Sequence, residues 1–134
     1  MVFYFYNVYG PNQIKKGQMA TIIGIFENLH SLKKPLTIVK PGSQTRRFTH
    51  VSDTVEVCCL AWKKNLCRHY SIANHKSHSI LNVAKMFKTK ICYLPKRLGE
   101  RYASALTNMN LSNKVYKYFG KSNLNKYIEK IVKK

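Results

Sequence analysis

The segment FYFYNVYGPNQ, which begins at Phe3, constrains this chain more than any other stretch. Aromatic and β-branched residues at this density favour a strand, and Gly10-Pro11-Asn12 then forces a turn. The strand reads as buried on both faces, which is the environment inside a parallel sheet with neighbours on either side. Because the chain opens on it, the elements ahead of it cannot supply those neighbours. The sheet it belongs to is expected to be larger than this sequence alone provides.

Behind the turn, Met19, Ile22, Ile23, Phe26 and Leu29 recur at helical spacing and predict an amphipathic helix over 18–32, which Pro35 prevents from continuing. Residues 36–39 form a short β-branched strand closed by Pro41-Gly42, and TRRFTHV alternates as a second. Asp53-Thr54-Val55-Glu56 has the form of a capping box, with Asp53 accepting from exposed helix N–H groups ahead of a helix that buries Val57, Leu60 and Ala61 and runs to Asn65. A strand over 69–73 follows. Next come a helix over 79–87, capped by Ser77 or Ser79 with Ile80, Val83, Ala84 and Phe87 on one face, a strand over 90–94 and a turn at PKRLGE. Two helices are expected to close the chain, over 111–119 up to Gly120 and from Leu124 onward. Strands and helices alternate, so the fold class is α/β, and no linker or repeat divides residues 1–134.

With 134 residues and 45% hydrophobic composition the chain can bury one core, which excludes disorder. No apolar run is long enough for a membrane span: 21–26 is short, and 1–9 is interrupted by Asn7. A basic region ahead of an apolar one is also missing from the N-terminus, so no signal peptide and a cytoplasmic location are expected. Cys58, Cys59, Cys67 and Cys92 lack a disulfide rhythm and read as free thiols. Cys59, Cys67, His69, His75 and His78 have the right chemistry for zinc, but they match no CxxC pairing and would come from a helix, a loop and a strand. No metal site is expected.

Twenty-four Lys and Arg against five Asp and Glu give a net charge of +19, a field that attracts any polyanion. A small basic nucleic-acid-binding module is therefore the alternative reading of the whole chain. Its lysines, however, are scattered in pairs such as Lys15-Lys16, Lys33-Lys34, Lys63-Lys64 and Lys133-Lys134 rather than gathered on one helix face. Helix-turn-helix spacing, zinc-finger spacing and an RNP-like aromatic pair are all absent, so only non-specific nucleic-acid binding is expected.

Three loops collect polar and cationic groups that packing does not demand: Asn7 at the end of the first strand, Arg46-Arg47 in PGSQTRRFTHVSD, and Arg97 in KRLGE. A planar guanidinium forks onto two phosphate oxygens and an Asn amide can donate to a third, so such residues converging from strand ends can clamp a pyrophosphate. Each also has an ordinary reading. Asn7 can cap a turn, Arg46 can be a solvated edge residue, and Arg97 can stack on Tyr93.

YFYNVYGP resembles the Tyr-Phe-Asn-Val-Tyr-Gly-Pro segment of the extended short-chain dehydrogenases, the NAD-dependent nucleotide-sugar epimerases (UDP-glucose 4-epimerase among them) and dehydratases. In the family's order, GSQTRRFTHVSDTVEV resembles Gly-x-Gln-x-Arg-Asp-Phe-x-x-Val-x-Asp, HYSIAN the Tyr-Asn-Ile-Gly strand, and LPKRLGE the Pro-x-Arg-x-Gly-Asp/Glu loop. NKVYKYFG with NLNKYIEKIV resembles the closing Lys-Ala-x-x-x-Leu-Gly helix and its successor.

The resemblance implies the C-terminal, substrate-binding part of such an enzyme without its Rossmann half: a truncated or split chain, inactive alone, binding a nucleotide-diphosphate-sugar and completed by a separate nucleotide-binding half. It implies substrate contacts from Asn7, Gln44, Arg46 and Arg97, Gln44 having the alternative role of ordering its loop. NAD belongs to the parent family, where it takes a hydride from a sugar carbon and returns it. This chain has no Gly-x-x-Gly-x-x-Gly loop and no Tyr-x-x-x-Lys pair, so neither cofactor-binding nor catalytic residues are expected in it. It departs from the family pattern at Tyr4 (usually Arg), Arg47 (usually Asp), Ser52 (usually acidic) and Asn108 (commonly Asp).

Overall fold

The computed structural model describes residues 1–100 and 115–134. Its central feature is a three-stranded parallel sheet of β1 (Val2–Phe5), β6 (His69–Asn74) and β9 (Val115–Gly120), in the order β1-β6-β9. Phe3 lies opposite Tyr70, and Ile72 opposite Tyr118. The helix α2 (Val51–Lys64) covers this sheet, setting Val57 and Ala61 on Tyr70 and Ile72 with Phe3, Tyr116 and Tyr118 at the margin. The Phe3 and Tyr70 rings stack at 5.3 Å.

The opening segment is not one buried strand. Asn7 adopts φ 42°, a left-handed conformation that Asn tolerates better than most residues, and this ends β1. The chain resumes as β2 (Val8–Tyr9), which pairs in parallel with β5 (Thr49–His50) instead of β6. Tyr9 is buried, whereas Phe5 is 51% exposed, because among the described residues β1 is an edge strand with β6 on one side only.

The larger core lies beside this sheet. The helix α1 (Ile22–Ser31) is capped by the Thr21 hydroxyl, which accepts from the Gly24 N–H at 2.9 Å. It packs Ile23 and Phe26 against β3 (Leu36–Val39), which runs parallel to β8 (Ile91–Leu94). Two further helices close over this pair: α3 (Ile80–Met86), capped by Ser79, and α4 (Leu124–Val132), capped by Asn123. Phe26 and Phe87 meet edge to face at 5.8 Å. TRRFTHV, expected as one alternating strand, breaks at the buried Phe48 into β4 (Thr45–Arg47) and β5, and β4 pairs antiparallel with β7 (Ser77–Ser79).

Two further expectations are corrected. α2 starts at Val51, and its cap is His50, whose Nδ1 accepts from the Ser52 N–H at 3.2 Å. Asp53 is buried in the first turn and accepts from the Ser122 N–H at 3.1 Å, so it anchors the exit of β9 rather than the helix start. The second concerns the helix expected over 111–119: its described part, from Val115, is the strand β9, and 111–114 lie outside the described residues along with Asn108 and Arg101. Gly120 ends β9 where a Cβ would stand 2.6 Å from Asp53 Oδ2, which only glycine avoids.

Candidate functional site

Of the four residues singled out for diphosphate binding, Asn7, Gln44 and Arg97 follow the C-terminal ends of the parallel strands β1, β3 and β8, the end of an α/β sheet where ligands bind, whereas Arg46 lies within the antiparallel strand β4. Asn7 follows β1, and its Nδ2 donates to the Arg47 carbonyl at 3.1 Å, fastening the end of β1 to β4. Gln44 follows the Pro41-Gly42 turn after β3 and is 2% exposed. Its Nε2 donates to the Val39 carbonyl at 3.0 Å, while its Oε1 has no partner among the described residues. Its backbone carbonyl accepts from the Ile80 N–H, so the loop is pinned to the start of α3.

Arg46, on β4, donates from Nη1 to the Thr45 carbonyl at 2.7 Å and pairs through Nη2 with Glu100 at 3.0 Å. Both side chains are 21% exposed, so the pair is neither sealed nor freely solvated. Glu100 closes the loop after β8 in which Arg97 stands exposed, ahead of a turn at Gly99 with φ 76°. The ion pair therefore joins the strand bearing Arg46 to the loop bearing Arg97. Sequence reasoning missed Glu100, although it lies within LPKRLGE; its role depends on which arginine the fold brings to it.

Arg47 does different work. Its Nη1 donates to the carbonyls of Asn74 and His75, lacing β4 to the end of β6. The substitution of an arginine at the family's aspartate position thus creates a structural tie.

Other polar groups gather elsewhere. A cavity of about 620 Å³ is lined by Asn74, Lys76, His78, Lys85 and Lys121. Another of about 880 Å³ opens over Glu27, Lys15, His50 and Tyr127. None of Asn7, Gln44, Arg46 or Arg97 lines either. Glu27, buried on α1, accepts from Gln13 Nε2 and Tyr127 OH, each at 2.8 Å, and pairs with Lys15 at 3.0 Å. Burial first, then this carboxylate, raises the Tyr127 hydroxyl well above its ordinary range. The network ties the loop after β2, α1 and α4 together. The sequence signal that could have found it is a lone acid beside Phe26 on an apolar helix face.

Neither Gly10 nor Gly24 leaves room for a dinucleotide's pyrophosphate, whereas Gly17, in the loop ahead of α1, faces open space. A pyrophosphate cradle needs open glycine backbone at a helix N-terminus. Here a Cβ on Gly24, in the first turn of α1, would meet the Ile14 carbonyl at 2.4 Å, and one on Gly10 would meet Val51 at 2.6 Å, so the chain itself fills both places. Among the described residues no three His, Cys, Asp or Glu groups gather to hold a metal, and His75 stacks on Phe119 at 4.0 Å. Nor is any described helix long and apolar enough to cross a membrane.

The sequence model of the NAD dependent epimerase/dehydratase family matches residues 1–73. The UDP-glucose 4-epimerase of Thermotoga maritima, crystallised with UDP-glucose, superposes with a TM-score of 0.79 at 22% identity, over 98% of this chain and 44% of its own. The UDP-N-acetylglucosamine 4-epimerase of Methanobrevibacter ruminantium, in complex with UDP-N-acetylmuramic acid, gives 0.75 at 21% identity over 97% and 43%. The UDP-glucuronic acid 4-epimerase of Bacillus cereus, with UDP-glucuronic acid and NAD, gives 0.71 at 22% over 98% and 44%. The likeness is one of fold, and this chain spans less than half the length of the structures it matches.

Proposed function

The chain belongs to the NAD dependent epimerase/dehydratase family, and from that premise we propose that it is the substrate-binding portion of a nucleotide-sugar epimerase or dehydratase. In this reading Arg46 and Arg97 grip the nucleoside diphosphate, Asn7 holds the end of β1 against β4, and Gln44 orders the loop between them. The observation that carries it is the Arg46–Glu100 pair, which sets the fork of one guanidinium beside the loop of the other at the strand ends. A held fork loses less freedom on meeting a phosphate than a solvated side chain does.

The sequence carries no Tyr-x-x-x-Lys pair and no Gly-x-x-Gly-x-x-Gly loop, so in this reading the sugar chemistry and the NAD would be supplied by a nucleotide-binding half outside these residues. This portion would orient the sugar toward that half.

The test is a fusion of this chain behind the part of the Thermotoga maritima UDP-glucose 4-epimerase that it does not cover, titrated with UDP-glucose. A charge-assisted hydrogen bond contributes about 1.5–3 kcal/mol, so Arg97→Ala is expected to weaken binding roughly ten- to a hundredfold, with Arg97→Lys recovering part. Lys64→Ala, on the far helix, should change little. Equal losses at Arg46, Arg97 and Lys64 would indicate a diffuse field and end the clamp.

A further inference from the structure

The cavity of about 620 Å³ takes no part in the diphosphate clamp, and its walls are cationic. Lys76 stands in the turn between β6 and β7, Lys85 on α3 and Lys121 between β9 and α4, so three segments distant in sequence each bring one lysine to the same hollow. His78 joins them from β7. None of the lining residues is acidic, and among the described residues none of the three lysines forms an ion pair.

The hollow is braced by its own loops. Asn74, the last residue of β6, accepts from the Lys76 N–H through Oδ1 at 3.0 Å and donates through Nδ2 to the Ser122 carbonyl at 2.9 Å. One carboxamide thus fixes both the loop that carries Lys76 and the loop that carries Lys121. Asp53 fixes the second loop again, accepting from the Ser122 N–H at 3.1 Å. Arg47 stands behind the wall and donates to the Asn74 and His75 carbonyls, adding a positive charge there. Cations gathered without a counterion repel one another, and a bound anion relieves that repulsion. His78 feels the same field: burial first, then Lys76, holds its imidazole below the ordinary value.

Volume and the remaining lining select among anions. Small-molecule sites occupy about 300–1,000 Å³, so this cavity has room for a body attached to a phosphate. The side chains of Asn82 and Asn125 have no partner among the described residues, and Asn123 spends only its Oδ1, on the Lys126 N–H. A carboxamide both donates and accepts, which matches hydroxyl groups. Phe48, Met86 and Leu124 add an apolar patch suited to the C–H face of a ring.

We infer that this cavity binds a phosphorylated polyol of the sugar-monophosphate class, with Lys76, Lys85 and Lys121 on the phosphate and the asparagines on the hydroxyls. The site is separate from the clamp, because none of Asn7, Gln44, Arg46 and Arg97 lines it, and it stands or falls independently of the reading above.

The test is calorimetric titration of the 134-residue chain with glucose 6-phosphate, with inorganic phosphate and glucose as separate arms. Inorganic phosphate should bind roughly tenfold more weakly than glucose 6-phosphate, the loss expected for two neutral hydrogen bonds, and glucose should not bind detectably. Lys85→Gln and Lys121→Gln, both at exposed positions, should each weaken glucose 6-phosphate about three- to tenfold with circular dichroism unchanged, whereas Lys64→Gln at the end of α2 should not. Asn125→Ala should weaken glucose 6-phosphate and leave inorganic phosphate unaffected. The charged groups facing His78 are Lys76, Lys85 and Lys121 in the cavity and Arg46 opposite it on β4, all cationic, so a bound phosphate should raise its pKa in an NMR titration while His30 on α1 stays unmoved. Equal losses at Lys85, Lys121 and Lys64 would mean diffuse attraction to a chain of charge +19 and overturn the site. Binding that leaves His78 unmoved places the ligand elsewhere and does the same. Equal affinities for inorganic phosphate and glucose 6-phosphate overturn the polyol assignment. Absence of glucose 6-phosphate binding at about millimolar concentration ends the inference, whatever the fusion does with UDP-glucose.

Discussion

Removing the Glu27 carboxylate tests the central energetic claim about the larger core. Glu27→Ala strands two donors, Gln13 Nε2 and Tyr127 OH, each 2.8 Å from Oε1, and frees Lys15. Hydrogen bonds to a charged group contribute about 1.5–3 kcal/mol each, so two set a range of roughly 3–6 kcal/mol. Two effects pull toward the lower end. The Lys15 side chain is 48% exposed, so its pair adds less than about 1 kcal/mol. Glu27 also borders the 880 Å³ cavity, from which water can reach the stranded donors. The expected loss is about 3 kcal/mol, a large part of a total stability on the order of 10 kcal/mol. Glu27→Gln keeps an oxygen where both donors point and should lose only about 1 kcal/mol. Urea unfolding followed by circular dichroism, with the midpoint read at constant m, measures both. A loss below about 1 kcal/mol for Glu27→Ala, or equal losses for the Ala and Gln variants, would refute the assignment of this carboxylate as the tie between α1 and α4.

Three other outcomes are expected. Tyr9 and Tyr127 are both raised above the ordinary 10.0, chiefly by burial, so each stays protonated in the folded chain and ionises once unfolded. Their contribution is thus complete below pH 10.0 and declines as pH climbs beyond it; the thermal midpoint should fall on that limb, and less steeply in Tyr127→Phe. Arg47→Ala cuts the tie from β4 to the end of β6 and should cost about 1–3 kcal/mol in urea unfolding while leaving UDP-glucose affinity of the fusion near its starting value; a large affinity loss at unchanged stability would place Arg47 in the clamp instead. Binding to duplex DNA should be indifferent to sequence and should fall by orders of magnitude between about 50 and 200 mM salt; selective binding that survives the higher salt would favour a nucleic-acid module.

Where punctuation is local, the sequence was enough. Pro35 and Pro41-Gly42 bracket β3, Ser79 caps α3, and β3, α3 and α4 lie within a residue or two of where spacing puts them. The failures are all decided by partners distant in sequence. VYKYFG carries aromatic and β-branched residues suited to a strand, yet only pairing with β6, some 46 positions earlier at His69–Val115, makes it one. Asp53 looks like a cap because an acid precedes an apolar run. The cap falls to His50 because β5 ends there beside β2, and Asp53 is turned inward to meet Ser122. The site followed the same rule. Residue type and resemblance single out Arg46 and Arg97 as candidates, whereas the pairing of Arg46 with Glu100 and the diversion of Arg47 to Asn74 and His75 required the fold.

The surplus of cations has the same kind of explanation once the five acids are traced. Glu27, Asp53 and Glu100 each accept a hydrogen bond or ion pair from a distant element, and Glu56 lies beside Tyr118, so four acids are engaged with the fold, while Glu129 is exposed on α4 with no such contact among the described residues. Four of the 24 cations stand in the last turns of helices, with Lys63 and Lys64 closing α2, Lys85 closing α3 and Lys130 closing α4, where they offset the negative end of the helix dipole.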